Sequence, residues 1–181
     1  MRKDEGNMAG TTGEVQRVLD VKAAELSPNL GLRGRDMREL ARLLGIALAD
    51  TYTLYLKTQG FHWNVAGPLF YPLHKLTEQQ YEELAEAVDT IAERIRAIGH
   101  PAPASFEQFS ELTEIRSETE VPTAEVMIEQ LADGNEVCCR SLRAAVRAAA
   151  DADDVKTADL LTDRIGEHEQ NVWMLRAMLA R

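Results

Sequence analysis

The 181-residue chain reads as an all-α protein, a four-helix bundle with one long crossover. Three observations predict it. The composition is rich in Ala, Leu, Glu and Arg, and only 6% of residues are aromatic, a mix that favours helix over strand. Apolar residues recur at spacings of three and four through four long segments. Two connections are short, at Gly67-Pro68 and at Asp151-Ala152-Asp153-Asp154, while residues 100–121 form a long one. The length suits one domain with a sizeable core.

Residues 1–30 are polar and poorly patterned, and are expected to be a mobile N-terminal arm, partly helical around residues 14–26. The arm's charges nearly cancel, Arg2, Lys3, Arg17 and Lys22 against Asp4, Glu5, Glu14, Asp20 and Glu25. Residues 31–181 are the bundle domain. Its first helix is predicted to start at Asp36, which with Glu39 makes a capping box just after Gly34, and to run to about Trp63. Met37, Leu40, Leu44, Leu48, Tyr52, Tyr55 and Leu56 are its apolar stripe. The second helix starts near Leu69, tolerates Pro72 in its first turn, and ends at Gly99 ahead of Pro101 and Pro103. Residues 105–112 are read as a short helix within the crossover. The third long helix follows Pro122, with Thr123 as cap and Met127, Leu131, Cys138, Leu142, Ala145 and Ala149 as its stripe. The fourth carries Ala158, Leu161, Ile165, Val172, Leu175 and Leu179 and is read to the last residue. A long crossover between the second and third long helices marks the ferritin-like variety of bundle.

The composition also excludes. No apolar run is long enough for a transmembrane helix. The N-terminus lacks the apolar stretch of a signal peptide, so the cytoplasm is the expected compartment, with nucleoid association as a variant. Cys138 and Cys139 are adjacent, which rules out a disulfide framework and a zinc ribbon, and they read as packing thiols. A formal net charge of −10 argues against a phosphate-binding surface as the main function.

The chemistry concentrates between His62 and Glu93. His62 closes the first helix and His74 opens the second. Glu78, Glu82, Glu86, Asp89 and Glu93 follow His74 at steps of three or four, so the imidazole and the carboxylates share one side of the helix. That side adjoins the apolar stripe of Leu73, Tyr81, Leu84, Val88, Ile91, Ile95 and Ile98, where carboxylates are costly unless a cation neutralises them. Histidine with carboxylate is a ligand set for redox iron and similar metals, and sites of this kind also accept zinc or cobalt. At about 1.5 Å per residue, His74 and Asp89 lie about 22 Å apart on one helix and cannot share a metal within one chain. His62 and His74 can meet across the short turn. Two copies related by a two-fold axis would bring histidines of one to carboxylates of the other.

The segments FHWNVAGPLFYPLHKL, EELAEAVDTIAERIRAIG and NVWMLRAML resemble those of the Dps family, the mini-ferritins named DNA-binding proteins from starved cells. The resemblance covers residues 36–181. It implies a ferritin-like bundle assembled into a hollow twelve-subunit shell. Such a shell oxidises iron(II), usually with hydrogen peroxide, and stores iron(III) oxide. By position, His62 and His74 become iron ligands from one subunit, and Asp89 and Glu93 ligands from its two-fold mate. Glu78 stands on the histidine side where many members have Asp, and Trp63 matches a tryptophan that can donate one electron. Asp159 is the best positional match to the acids of the family's three-fold iron-entry pores.

Other residues carry two readings each. Glu82, Glu83 and Glu86 are a solvated face, or mineral-nucleation sites if that face lines a shell interior. Asp151, Asp154, Asp159 and Asp163 complement the N-terminal dipole of the fourth long helix, or line an entry pore. Trp173, Met174 and Met178 read as core or interface, and His100 as surface. A nucleoid-binding protein with secondary iron chemistry is the rival function. Its mark would be a Lys/Arg-rich tail, which this sequence lacks, so DNA binding is expected to be weak or absent. Arg33, Arg35 and Arg38 are the one cluster that could oppose that expectation. A purely structural helical assembly is the remaining alternative.

Overall fold

The computed structural model describes residues 26, 28–32 and 34–180, apart from the side chains of residues 34–36, and among the described residues it is all helical. Five helices follow in order: α1 (Gly34–Asn64), α2 (Phe70–Ala97), α3 (Phe106–Leu112), α4 (Ala124–Asp151) and α5 (Val155–Met178). Four of them form the bundle and the seven-residue α3 rides on the crossover. Cross-helix bonds set the directions. Lys57 meets Gln130 while Asp50 meets Ser141, Gln80 meets Asn171 while Arg94 meets Asp154, and Arg143 meets Glu169 while Arg176 meets Asp133. Thus α1 runs antiparallel to α4, α2 antiparallel to α5, and α4 antiparallel to α5. With α1 and α2 reversed by their short turn, the crossover must traverse the bundle's length.

Most helix limits agree with the periodicity. α1 begins at Gly34, so Asp36 falls inside the first turn rather than at the cap. The Asp36 side chain and the expected arm, residues 1–25 and 27, lie outside the described residues. α2 stops at Ala97, and Gly99 follows at φ +99°, where a β-carbon would stand 2.3 Å from the carbonyl oxygen of Leu26. Ser105 and Thr123 cap α3 and α4 through their hydroxyl oxygens, which accept from the N–H of Gln108 and Val126. α5 ends at Met178, short of the last residue.

The core is one cluster running the bundle's length, with Leu40, Leu44, Leu48, Leu54, Leu73, Leu84, Ile91, Ile95, Met127, Leu131, Leu142, Leu161 and Leu175 buried. On α1 the buried face continues through Thr51, Leu54, Thr58 and Phe61. Tyr52 and Tyr55 therefore lie at its edge, and Leu56, expected in the stripe, is exposed. The buried hydroxyls of Thr51, Thr58 and Thr77 each donate to the carbonyl four residues back, which leaves them satisfied in an apolar setting. Cys138 and Cys139 are buried free thiols, and burial pushes both thiol pKa values up, as packing residues require. No described helix is long and apolar enough to cross a membrane.

His168, to which the sequence assigns no role, is 1% exposed in the bundle centre, and burial pushes its pKa down to about 3, aided by the nearby Arg164 charge. An unfolded chain binds that proton below about pH 6.5 and the folded chain refuses it until about pH 3. The stability tied to neutral His168 is therefore complete above pH 6.5 and lost progressively as pH falls toward 3. By pH 5 the loss amounts to about 2 kcal/mol. Thermal unfolding midpoints from pH 7.5 to 4.5 should fall less steeply in His168→Leu than in the unaltered chain. Parallel slopes would remove His168 from the account.

Candidate metal centre

The turn between α1 and α2 builds the histidine pair. α1 ends at Asn64, Gly67 takes φ +89°, and the Phe70 N–H bonds back to the Gly67 carbonyl, so α2 starts beside the last turn of α1. The two imidazoles stack, ring centroids 3.8 Å apart and planes 15° from parallel. Each Nδ1 faces the other residue's backbone carbonyl: His62 Nδ1 to His74 O is 2.9 Å, and His74 Nδ1 to His62 O is 3.0 Å. A carbonyl only accepts, so both Nδ1 atoms carry the proton and both Nε2 atoms keep a lone pair. This reciprocal bonding sets tautomer and ring orientation, as outer partners do for metal-binding histidines. His62 is buried, 8% exposed, and His74 is half-buried beside it.

Three residues to which the sequence assigns no place beside the histidines complete the pair's surroundings. Phe70 stacks on His74 at 5.1 Å, and Tyr81 sets its ring edge-on to His62 at 5.1 Å. The Thr77 hydroxyl donates to the Leu73 carbonyl and lies 3.1 Å from the His74 carbonyl that also serves His62. Only their spacing from His74 hinted at them, one helical turn for Phe70 and Thr77 and two for Tyr81.

The carboxylates divide by distance. Glu78, one turn after His74, is near enough to feel both imidazoles. The exposed Lys75 ammonium bonds Glu78 at 2.6 Å and is the main cause holding its carboxyl below the usual range. Glu82, Glu86, Asp89 and Glu93 are exposed. In a single chain this acidic stripe is thus fully hydrated, and the expected desolvation cost at a core boundary does not arise there. Leu84, Ile91 and Ile95, on the adjacent stripe, are buried. Among the described residues no three of His, Cys, Asp and Glu come together as a metal-binding group, so one chain presents the two histidines and the distant acids as separate halves.

Trp63 is 65% exposed beside His62, and Phe70 and Tyr71 are exposed nearby, which makes an apolar surround to the histidines. Trp173 is 68% exposed, so within the chain it is not core; Met174 and Met178 are half-buried. Half-buried His100 closes the α2 end, its carbonyl accepting from Arg96.

Among the four aspartates near the start of α5, Asp151, Asp159 and Asp163 are exposed. Asp159 pairs with Lys156 at 3.3 Å, and Asp154 is buried instead. It is 3% exposed, caps α5 by accepting from the Thr157 N–H, and takes two 2.7 Å bonds from Arg94. Its expected place in a pore yields to a structural one, because both oxygens already have cationic or hydroxyl partners.

The ferritin-like domain family matches residues 41–181. An uncharacterized low temperature-induced protein of Nostoc is 40% identical over 153 residues, 83% of this chain and 86% of that protein. The DNA protection during starvation protein 2 of Bacillus anthracis is 37% identical over 142 residues, 78% of this chain and 97% of that protein. Among solved structures, the Dps protein of Vibrio cholerae O1 is described as a member of a broad superfamily of ferritin-like diiron-carboxylate proteins. It superposes with a TM-score of 0.81 at 30% identity, over 87% of this chain and 100% of that one.

Proposed function

This chain belongs to the Dps family of ferritin-like proteins, the iron-storing mini-ferritins, and on that premise we propose that it is a ferroxidase working at sites shared across a two-fold dimer. One observation carries the reading: His62 and His74 are stacked with each Nδ1 bonded and each Nε2 left for a ligand, while the carboxylates that would complete a site stand far along α2. A second copy of α2, packed antiparallel, supplies Asp89 and Glu93 to the histidines of the first. The exposed Trp63, Phe70 and Tyr71 then become interface rather than bare apolar surface.

Iron is the substrate. His62, His74 and Glu78 of one subunit, with Asp89 and Glu93 of the other, hold two iron(II) ions. Anionic oxygen ligands stabilise the ferric product more than the ferrous reactant, so bound iron is the stronger reductant. One hydrogen peroxide takes one electron from each of two irons and, with two protons, leaves as two waters, so no hydroxyl radical is released. Trp63 stands beside His62 as a one-electron donor when only one iron is present. Zinc or cobalt would occupy the same ligands without turnover. The shell of this reading has twelve subunits in the cytoplasm. Asp151, Asp159 and Asp163 belong to its iron-entry funnels, and Glu82 and Glu86 offer inner-surface nucleation oxygens. Stopped-flow oxidation of iron(II) with peroxide and with oxygen, followed by sizing of the mineralised product, tests the function. Failure to oxidise iron faster than buffer would overturn it.

Weak duplex binding is part of the same account. The chain carries 30 acids against 20 bases, and a twelve-subunit shell would hold a formal charge of about −120. Arg140, Arg143 and Arg147 line one exposed face of α4, but the same stripe begins with Asp133 and Glu136, which bind Arg176, and Arg143 pairs with Glu169. Arg38 is exposed, while Arg33 and the Arg35 side chain lie outside the described residues. A gel-shift series across salt should show no stable complex near physiological ionic strength without magnesium. A complex that persists there would move the function toward the nucleoid.

A further inference from the structure

The bundle centre holds polar groups that the proposed iron chemistry does not use. Among the described residues, Asp50 Oδ2, Gln80 Oε1, Arg164 Nε and Nη2, His168 Nε2 and Asn171 Nδ2 are buried side-chain atoms without a hydrogen-bond partner in the protein. Buried polar groups in folded proteins are seldom left this way, and a cluster of them calls for a ligand.

The partners that are made define what the unpaired atoms can accept or give. Asn135 Nδ2 donates to the Leu131 carbonyl at 2.8 Å, which turns its Oδ1 toward His168 Nδ1, also at 2.8 Å. His168 Nδ1 is therefore the donor, and its Nε2 is a bare acceptor. Arg164, one turn earlier on α5, gives Nη1 to Glu83 at 2.6 Å and keeps Nε and Nη2 as unspent donors. Asn171 accepts at Oδ1 from Gln80 at 3.1 Å, leaving that amide pair half made, with one donor and one acceptor over. Across the bundle, Asp50 Oδ1 accepts from the Thr113 hydroxyl and the Glu114 N–H, both at 2.9 Å, Ser141 stands beside the carboxyl, and Oδ2 is left over. Arg164, His168 and Asn171 recur at four and three on α5, so they share one stripe of that helix, which meets the buried Gln80 of α2 and Asn135 of α4.

We propose that the centre of the bundle is a binding site for internal water, held along α5 between Arg164 and His168 and closed across the bundle by Asp50. The unpaired set contains three donors and three acceptors. Water, which both donates and accepts, matches it: a molecule accepting from Arg164 donates to His168 Nε2, and a neighbour reaches Asp50 Oδ2. A few such molecules are ordinary at the general density of about one buried water per 27 residues. Other small ligands fit worse. Glu83 already neutralises Arg164, and the Asp50 carboxyl opposes an anion. The guanidinium of Arg164 opposes a metal cation, and no three metal-binding groups gather among the described residues.

The test is a crystal structure of the full chain at a resolution that shows water, with a second crystal soaked in bromide. A water peak within hydrogen-bond distance of an Arg164 donor and of His168 Nε2 is expected, with no anomalous bromide signal beside Arg164. The same peak should vanish or shift in His168→Leu, a change expected to leave the iron oxidation rate within two-fold of the unaltered chain. A dry centre in which Arg164, His168 and Asp50 bond one another directly would overturn the proposal, as would bromide in the site. The unaltered chain alone decides the matter if the variant fails to fold.

Discussion

Replacing His62 and His74 together by alanine is expected to slow peroxide-driven iron(II) oxidation by on the order of 100-fold or more, while the assembled shell keeps its size. Both rings lie at helix ends, so their removal leaves the central core of the bundle in place, and the turn is held by backbone bonds such as Phe70 N–H to Gly67 O. What is lost is two bare Nε2 atoms in a fixed orientation. Stopped-flow absorbance with sizing on the same preparation separates the two effects. Oxidation at the unaltered rate in an intact shell would remove the histidines from the site.

Asp154→Ala should give the largest loss of stability among single changes at the polar groups. The Asp154 carboxylate and the Arg94 guanidinium form a pair that is almost wholly buried, 2.7 Å apart, and Asp154 also caps α5. Removing one partner strands the other charge, which costs about 3–5 kcal/mol, and the lost cap adds about 1 kcal/mol. For a chain of this length the unfolding midpoint should drop by about 10 °C or more. Arg94→Ala should fall by a similar amount, and Asp154→Asn, which keeps the cap, by less. Burial would raise the Asp154 carboxyl pKa, but bonds from Arg94 and Thr157 outweigh it and hold it below the usual range. The pair's contribution is therefore present above about pH 4 and lost as pH falls through that lowered value. A midpoint within about 2 °C of the unaltered chain would show the pair to be unimportant to stability.

The fold was legible because its signals are local. Spacing of Leu40, Leu44 and Leu48, or of Leu84, Ile91 and Ile95, reports a helix and its buried face without any partner, and Ser105 and Thr123 cap within three residues of themselves. The meeting of His62 with His74 was legible for the same reason, since only the Gly67 turn separates them. What the sequence could not disclose depends on residues far along the chain. Asp154 looks like its neighbours Asp151 and Asp159 until Arg94, on another helix, claims it. His168 has no distinguishing context until Asn135 and Arg164 surround it. Leu56 shows the other limit: periodicity locates a stripe but not its width, so a residue one position past the edge faces solvent.

The measurement that bears most directly on the shared site is complementation between two inactive chains. One carries Asp89→Ala with Glu93→Ala, the other His62→Ala with His74→Ala, and each alone should be nearly inactive. In a mixed two-fold pair, one site receives both altered halves and the other receives both intact halves. Random pairing of equal amounts should restore about a quarter of the unaltered activity, because half the dimers are mixed and each has one whole site. Co-assembly demonstrated by mass spectrometry with no recovery of peroxide-driven iron oxidation would contradict a site built from two chains.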